Sequence, residues 1–266
     1  MSILSAKLQA IASLPADRPM TMPGAFYTAH NQFDHEAATV LRSGWHCLGR
    51  TDEIPRAGDF FTVQLLNEPL IVVRQADEQI TVLANVCRHR GMLLAEGSGN
   101  TKRFVCSYHA WTYNLDGGLM RAARMKNASF DAKNCGLHRY NMQLWKGFIY
   151  VNLDSAAVPF SHPALNALLA NYDGETFHIA HTAEEIWNTN WKCLVENFME
   201  GYHLSVVHPE TLHEYTPTGL ARKLVGGDGF TSYAANYPRT IPSRGMGAPN
   251  LTNDERLRST LFAIFP

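Results

Sequence analysis

No run of eighteen or more apolar residues occurs in the 266-residue sequence, so no membrane-spanning helix is expected. Blocks of one charge are missing too: 23 Lys and Arg stand against 24 Asp and Glu, with no long basic run. That balance speaks against a nucleic-acid or anionic-membrane partner. Cysteine is sparse. Cys47, Cys87, Cys106, Cys135 and Cys193 are odd in number and widely scattered, unlike a disulfide framework. The first fourteen residues carry a lone Lys7 and mixed polarity, not a basic segment followed by a solid apolar block. They read as a short amphipathic helix rather than a signal peptide, and the default compartment is the cytosol, where thiolates stay reduced. What remains is an ordinary globular composition, 45% hydrophobic, sufficient for one large domain or two modest ones.

Along the chain, Pro15, Pro19, Pro23 and Gly24 break the opening helix, and a second helical run spans about 31–41. From Trp45 the pattern changes to short segments rich in Val, Ile, Phe and Thr: 45–48, 60–66, 70–74, 80–84, 104–106 and 147–153. Turn formers separate them, including Asp116-Gly117-Gly118. Residues 45–155 therefore read as a small antiparallel β-domain. Helix is expected at 165–172, strand at 177–185, and a long helix at 188–208.

Within the β-domain stand two mixed pairs, Cys87-x-His89 and Cys106-x-x-His109, sixteen residues apart. Each supplies one thiolate and one imidazole. Two irons can be held this way, one by both sulfurs and the other by both nitrogens, which is the Rieske [2Fe–2S] arrangement. A structural Cys2His2 zinc site is the rival. Zinc frameworks keep the two cysteines together and the two histidines together, so the mixed pairs suit zinc poorly. Both pairs fall at hairpin tips, where a sheet holds converging ligands in register. Gly91, just after the first pair, lets backbone amides approach the cluster sulfurs.

A second constellation, Asn197, Glu200, His203 and His208, lies in the expected long helix. Two histidines with a nearby carboxylate suggest the triad that binds non-haem Fe(II) with open positions. On a straight helix His203 and His208 would sit about 140° apart, too far to aim at one ion. Val206-Val207 and Pro209 weaken the helix there. A bulge between the histidines, or His208 at the helix end, is therefore predicted.

Together these motifs, with Trp111 and Asp116-Gly117, resemble the oxygenase α subunits of Rieske non-haem iron oxygenases across nearly the whole chain. The resemblance implies an α+β protein. A Rieske domain (45–155) is inserted into a helix-grip, START-like catalytic domain, made of an N-terminal helical segment (1–44) and residues 156–266. It also implies roles. Cys87, His89, Cys106 and His109 bind the cluster, and His203 and His208 bind the mononuclear iron. Asn197 lies near that iron, and Glu200 bridges His203 to His109 of a neighbouring subunit in a ring-shaped trimer. Electrons would come from NAD(P)H through a separate reductase, with O2 as co-substrate.

Three departures from the family pattern qualify the reading. Glu200 stands where ring-dihydroxylating members have Asp, which points toward the choline, betaine and carnitine branch. Ala110 replaces a common Gly. The family's carboxylate iron ligand comes well beyond His208, and Asp228, Asp254 and Glu255 do not match its place. The stop at Pro266, inside an apparent strand at 261–265, reads as the end of a fragment. The expected activity is monooxygenation of an N-methylated or quaternary ammonium compound. An aromatic-ring dioxygenase or O-demethylase is the runner-up in the same chemistry, and a pure Rieske electron carrier is the alternative of another class. A cationic substrate would want an aromatic cage, for which Phe198, Tyr202, Trp187, Phe230, Tyr233 and Tyr237 are candidates.

Overall fold

A computed structural model describes residues 3–15, 17–18, 20–125, 130–238, 240 and 248–265. Pro19 and Pro266, used in the sequence reading, lie outside them. The chain forms two compact units. One comprises Arg42–Ser161, Tyr172–Ala183 and Phe265–Pro266; the other comprises Met1–Leu41, His162–Asn171 and Glu184–Ile264. Among the described residues, every strand pairing is antiparallel.

The first unit holds β1 (Trp45–Arg50), β2 (Asp59–Leu65), β3 (Glu68–Arg74), β4 (Ile80–Ala84) and β5 (Ser98–Asn100). After them come β6 (Phe104–Val105), β7 (Thr112–Tyr113), β8 (Leu119–Arg121), β9 (Asn141–Trp145) and β10 (Phe148–Asn152). They make three sheets, ordered β1-β10-β9, β4-β3-β2-β5 and β6-β7-β8. The unbroken apolar run Leu70-Ile71-Val72-Val73 marks β3 as buried on both faces. Side chains alternate along it: Leu70 and Val72 join one core with Ile149 and Val151 of β10. Ile71 and Val73 join a second core with Leu83, Phe104, Trp111, Tyr113 and both Cys87 and Cys106. The cysteines are thus rooted in packing rather than hung on loops.

The expected strand at 177–185 is not formed. Residues 177–183 of it belong to this unit, and its backbone is taken by side chains instead of a neighbouring strand. The Phe177 carbonyl accepts from the buried Arg50 guanidinium, and the Ile179 N–H donates to Asp52 at 2.9 Å.

The second unit contains α1 (Ile3–Ala12), α2 (Ala25–Thr28), α3 (His30–Glu36), α4 (Pro163–Leu168), α5 (Trp191–Phe198) and α6 (Leu204–Val207). It also holds a sheet ordered β11-β12-β13, from Ala221–Lys223, Phe230–Asn236 and Arg258–Ile264, with α7 (Asn253–Arg256) before the last strand. One expectation needs correction: 188–208 is not a single helix. Asn190 caps α5 by accepting the Lys192 N–H at 3.0 Å, so the helix starts late. It stops at Phe198 because the Glu200 carboxylate accepts the N–H groups of Tyr202 and His203, replacing helical carbonyl partners. Gly201 permits the close approach of β11: a Cβ there would lie 2.6 Å from that of Ala221.

Candidate metal centres

The two Cys/His loops are built to one plan. The Cys87 N–H donates to the Met92 carbonyl at 2.8 Å, and the Gly91 N–H to the Cys87 carbonyl at 3.0 Å. In the second loop the Cys106 N–H donates to Trp111 at 2.8 Å, and the Ala110 N–H to Cys106 at 2.9 Å. The residue four places after each cysteine turns the chain through positive φ, +74° at Gly91 and 55° at Ala110. Asn85, itself buried, braces the first loop by accepting from Leu94 and Ala95, both at 3.0 Å.

Cys87 and Cys106 are each only 2% exposed, whereas His89 is half-buried and His109 exposed. The two imidazoles stand 4.7 Å apart between ring centroids, at 69°. Trp111 stacks on His89 at 4.9 Å and 8°, and Tyr108 covers His109 at 3.9 Å. Burial, then the charges of His109 and Arg90, hold the His89 pKa below its ordinary value. A neutral imidazole is the form that binds metal. Sulfurs inside, imidazoles outside and one of each from every loop is a donor set that fits a cluster with two ligands to each iron.

Sequence reasoning missed one residue at this site. The Tyr113 hydroxyl, fully buried, lies 3.3 Å from the Cys87 sulfur and accepts the Arg88 N–H at 3.0 Å. With that N–H on its oxygen, the hydroxyl proton is free to point at sulfur. Burial and the bond to Cys87 push the phenol far above its usual pKa, so it stays protonated. The signal was available: Tyr113 follows Trp111 by two along an extended segment, so both face the same core.

In the second unit, the turn between α5 and α6 gathers three of the four expected residues. His203 caps the start of α6 and His208 its end, as the weak helix predicted. Their rings lie 5.4 Å apart, at 66°. The Glu200 carboxylate bonds the His203 ring at Nδ1, which leaves Nε2 for a metal. Burial raises the Glu200 pKa, but the His203 and Tyr202 bonds outweigh it, and the carboxyl sits below its usual range. Asn197 is exposed on the last turn of α5.

No third donor joins the histidines: among the described residues, no group of three or more His, Cys, Asp or Glu is arranged to hold one ion. Asp254 is paired with Arg222 and Arg258, and Glu255 is bound by Thr252 and Asn171. Asp228 is exposed. The candidate cage aromatics are spread out. Phe230 and Tyr233 are buried, Phe198 and Trp187 exposed, and Tyr202 is 85% exposed. Tyr202 and Tyr233 do share a cavity of about 450 Å³ with Glu200, Thr218 and Arg222.

A β-unit with paired Cys/His loops, followed in the same chain by a His-His turn backed by a carboxylate, defines an iron–sulfur protein of the redox class. Comparison with known proteins agrees. Residues 44–141 match the Rieske [2Fe-2S] domain, and 169–266 match the ring hydroxylating alpha subunit (catalytic domain). The chain thus carries, in this order, a Rieske [2Fe-2S] domain and a match to the ring hydroxylating alpha subunit catalytic domain. It is 34% identical over 195 residues to the carnitine monooxygenase oxygenase subunit of Escherichia coli, covering 71% of this chain and 52% of that one. It is 34% identical over 204 residues to the glycine betaine monooxygenase oxygenase subunit of Pseudomonas aeruginosa, covering 74% and 46%. A solved quaternary ammonium Rieske monooxygenase superimposes with TM-score 0.77 at 27% identity, over 84% of this chain and 64% of that one. Naphthalene 1,2-dioxygenase from Rhodococcus shares the fold at TM-score 0.77 and 24% identity, over 99% and 66%. The chain spans about half the length of the curated relatives it matches.

Proposed function

We propose that the protein is the terminal oxygenase component that hydroxylates a small N-methylated or quaternary ammonium compound with O2. The observation that carries this is the α5–α6 turn, where Glu200 fixes the His203 ring 5.4 Å from that of His208, in a chain that also holds a Rieske domain. An electron carrier alone has no use for that turn. The named relatives act on carnitine, glycine betaine and choline, which supports the substrate class.

In this reading Cys87, Cys106, His89 and His109 hold the cluster, and His203 and His208 hold Fe(II). When bound, the two groups supply single-electron transfer and dioxygen activation. Glu200 accepts from Nδ1 of His203, fixing the ring's orientation and raising its basicity. Tyr113 donates to the Cys87 sulfur. Asn197 stands beside the iron without ligating it. The cluster-bearing domain is 45–155, inserted between 1–44 and 156–266, which together build the catalytic domain.

Electrons would reach the protein from NAD(P)H through a separate reductase, in the cytosol. We also place it in a homotrimer, with His109 of one copy facing Glu200 of the next. Charge supports that pairing: residues 84–140 carry nine Lys or Arg against three Asp or Glu, while the stretch between Lys192 and Arg222 carries four Glu and no Lys or Arg. Opposite patches of this kind steer association. The test is turnover by the full-length protein with a reductase. Formaldehyde or a cleaved amine from betaines is the expected product, and arene oxidation without it would overturn the substrate assignment. Replacing His203 with Ala should abolish oxygen-dependent product; full activity in that variant would leave only the electron carrier.

A further inference from the structure

Helix α5 leads directly into the Glu200–His203 turn, yet none of its residues is buried. Among the described residues, no buried side chain of its own anchors it. What does is a set of polar bonds from a segment more than 150 residues earlier. Lys192 Nζ lies 2.6 Å from Glu36 Oε2, with the two side chains only 11% and 9% exposed. The same oxygen accepts the Trp191 indole N–H at 3.2 Å, and Glu36 Oε1 accepts from Gln32 at 2.9 Å. One turn further along, the Tyr27 hydroxyl donates to the Glu196 carboxylate at 2.9 Å. Asn190, the helix cap, donates to the Tyr27 carbonyl at 3.2 Å.

We infer that residues 27–36 are a clamp that sets the register of α5, with Glu36 as its central positioning residue. The inference rests on the reading that His203 and His208 hold iron. A buried ion pair is a poor source of net stability, because desolvating both charges offsets their attraction. Its geometry, in contrast, is demanding. Lys192 and Glu196 are four apart, so they share one helix face. Held at 190–192 and again at 196, α5 can neither slide nor roll. A slip of one residue would turn it by about 100° and carry Asn197 and the Glu200 turn with it. The N-terminal helices, otherwise simple packing, thereby become part of the iron site's support.

The experiment compares Glu36→Gln and the double variant Glu36→Met/Lys192→Met in the full-length protein. The double variant removes the charge problem but not the loss of the bonds. If Glu36 positions α5, both variants weaken Fe(II) binding at the mononuclear site by about tenfold or more. Both also alter the EPR signal of its nitric oxide adduct and lower kcat more than they change KM. The Rieske absorbance and EPR stay as in the parent, showing an intact fold. Wild-type iron affinity and kcat in the double variant would overturn the clamp, since Glu36 would then only neutralise Lys192. Unchanged behaviour in both variants overturns it equally. If His203→Ala loses no iron, the iron-site reading itself fails and the clamp with it, whatever Glu36 does.

Discussion

Replacing Tyr113 with Phe removes one oxygen from a fully buried site and tests how the protein sets the cluster's potential. The hydroxyl accepts from Arg88 at 3.0 Å and stands 3.3 Å from the Cys87 sulfur, which as a cluster thiolate could only accept its proton. A donor on a cluster thiolate favours the reduced state, which carries one more negative charge, so losing it lowers the potential. A hydrogen bond to a charged group is worth about 1.5–3 kcal/mol, and only part of that differs between oxidation states. Taking the difference as about 1 kcal/mol, and 59 mV per tenfold in a one-electron couple, the drop is about 40 mV. Losing the bond from the N–H of Arg88, an exposed residue, costs a further ~1 kcal/mol of stability. A dye-mediated redox titration followed by the EPR signal of the reduced cluster measures the first effect, and thermal unfolding the second. An unchanged or higher potential at full cluster content would refute the assignment of the proton to sulfur.

The matching loops make a paired prediction. Ala110 sits at φ 55°, where a Cβ costs about 1 kcal/mol or more, so Ala110→Gly should stabilise by about 0.5 kcal/mol after the added freedom of the unfolded chain is subtracted. Gly91→Ala, at φ +74°, should destabilise by about 1 kcal/mol, and thermal melts should show the opposite signs. Glu200→Gln should keep iron on His203 and His208 but cut kcat by about 10–100-fold; loss of the metal instead would make Glu200 a ligating or structural residue. Asp52 is raised by burial, but its bonds from Ile179 and Arg50 win and leave its pKa lowered. Its contribution is therefore present above about pH 4, the unfolded value, and is lost as pH falls through the folded one. The melting-temperature gap between the parent and Asp52→Asn should shrink steadily below pH 4, and a constant gap would refute the linkage.

Legibility in the sequence followed the range of the interactions. The Cys87 and Cys106 loops close within five residues and show themselves in any window that contains them. The strand expected at 80–84 matches to the residue, and β3 begins only two residues earlier than expected, because Leu70-Ile71-Val72-Val73 has no helical alternative so close to turns. His208 at the end of α6 followed from Val206, Val207 and Pro209. The helix expected at 188–208 is too long because periodicity cannot see a side chain, that of Glu200, taking backbone donors from the next turn. The segment at 177–185 reads as a strand in isolation, and only Arg50 and Asp52, more than 120 residues earlier, divert its backbone. Tyr27 and Glu36 gave no local signal at all, since their partners lie beyond residue 190.

The two candidate sites are supported in opposite ways, and the difference follows from what each must do. Cys87 and Cys106 belong to the same buried cluster as Ile71, Leu83 and Trp111, so the strands hold both sulfurs at once. A site built this way cannot relax when its charge changes, and keeping ligand positions constant is what fast electron exchange requires. His109, in contrast to the sulfurs, is exposed beside Tyr108. Around the His203–His208 turn, among the described residues, α5 has no buried residue and α6 buries only Leu204. The turn's precision comes from bonds, those of Glu200 to His203 within the turn and those of Glu36 and Tyr27 to α5 behind it. Bonds can be removed one at a time while packing stays intact. Single polar substitutions should therefore tune the mononuclear site in graded steps, whereas the cluster loops should respond to core substitutions such as Leu83→Ala by losing the cluster outright. A Leu83→Ala protein that keeps a full complement of cluster with an unshifted spectrum would break this distinction.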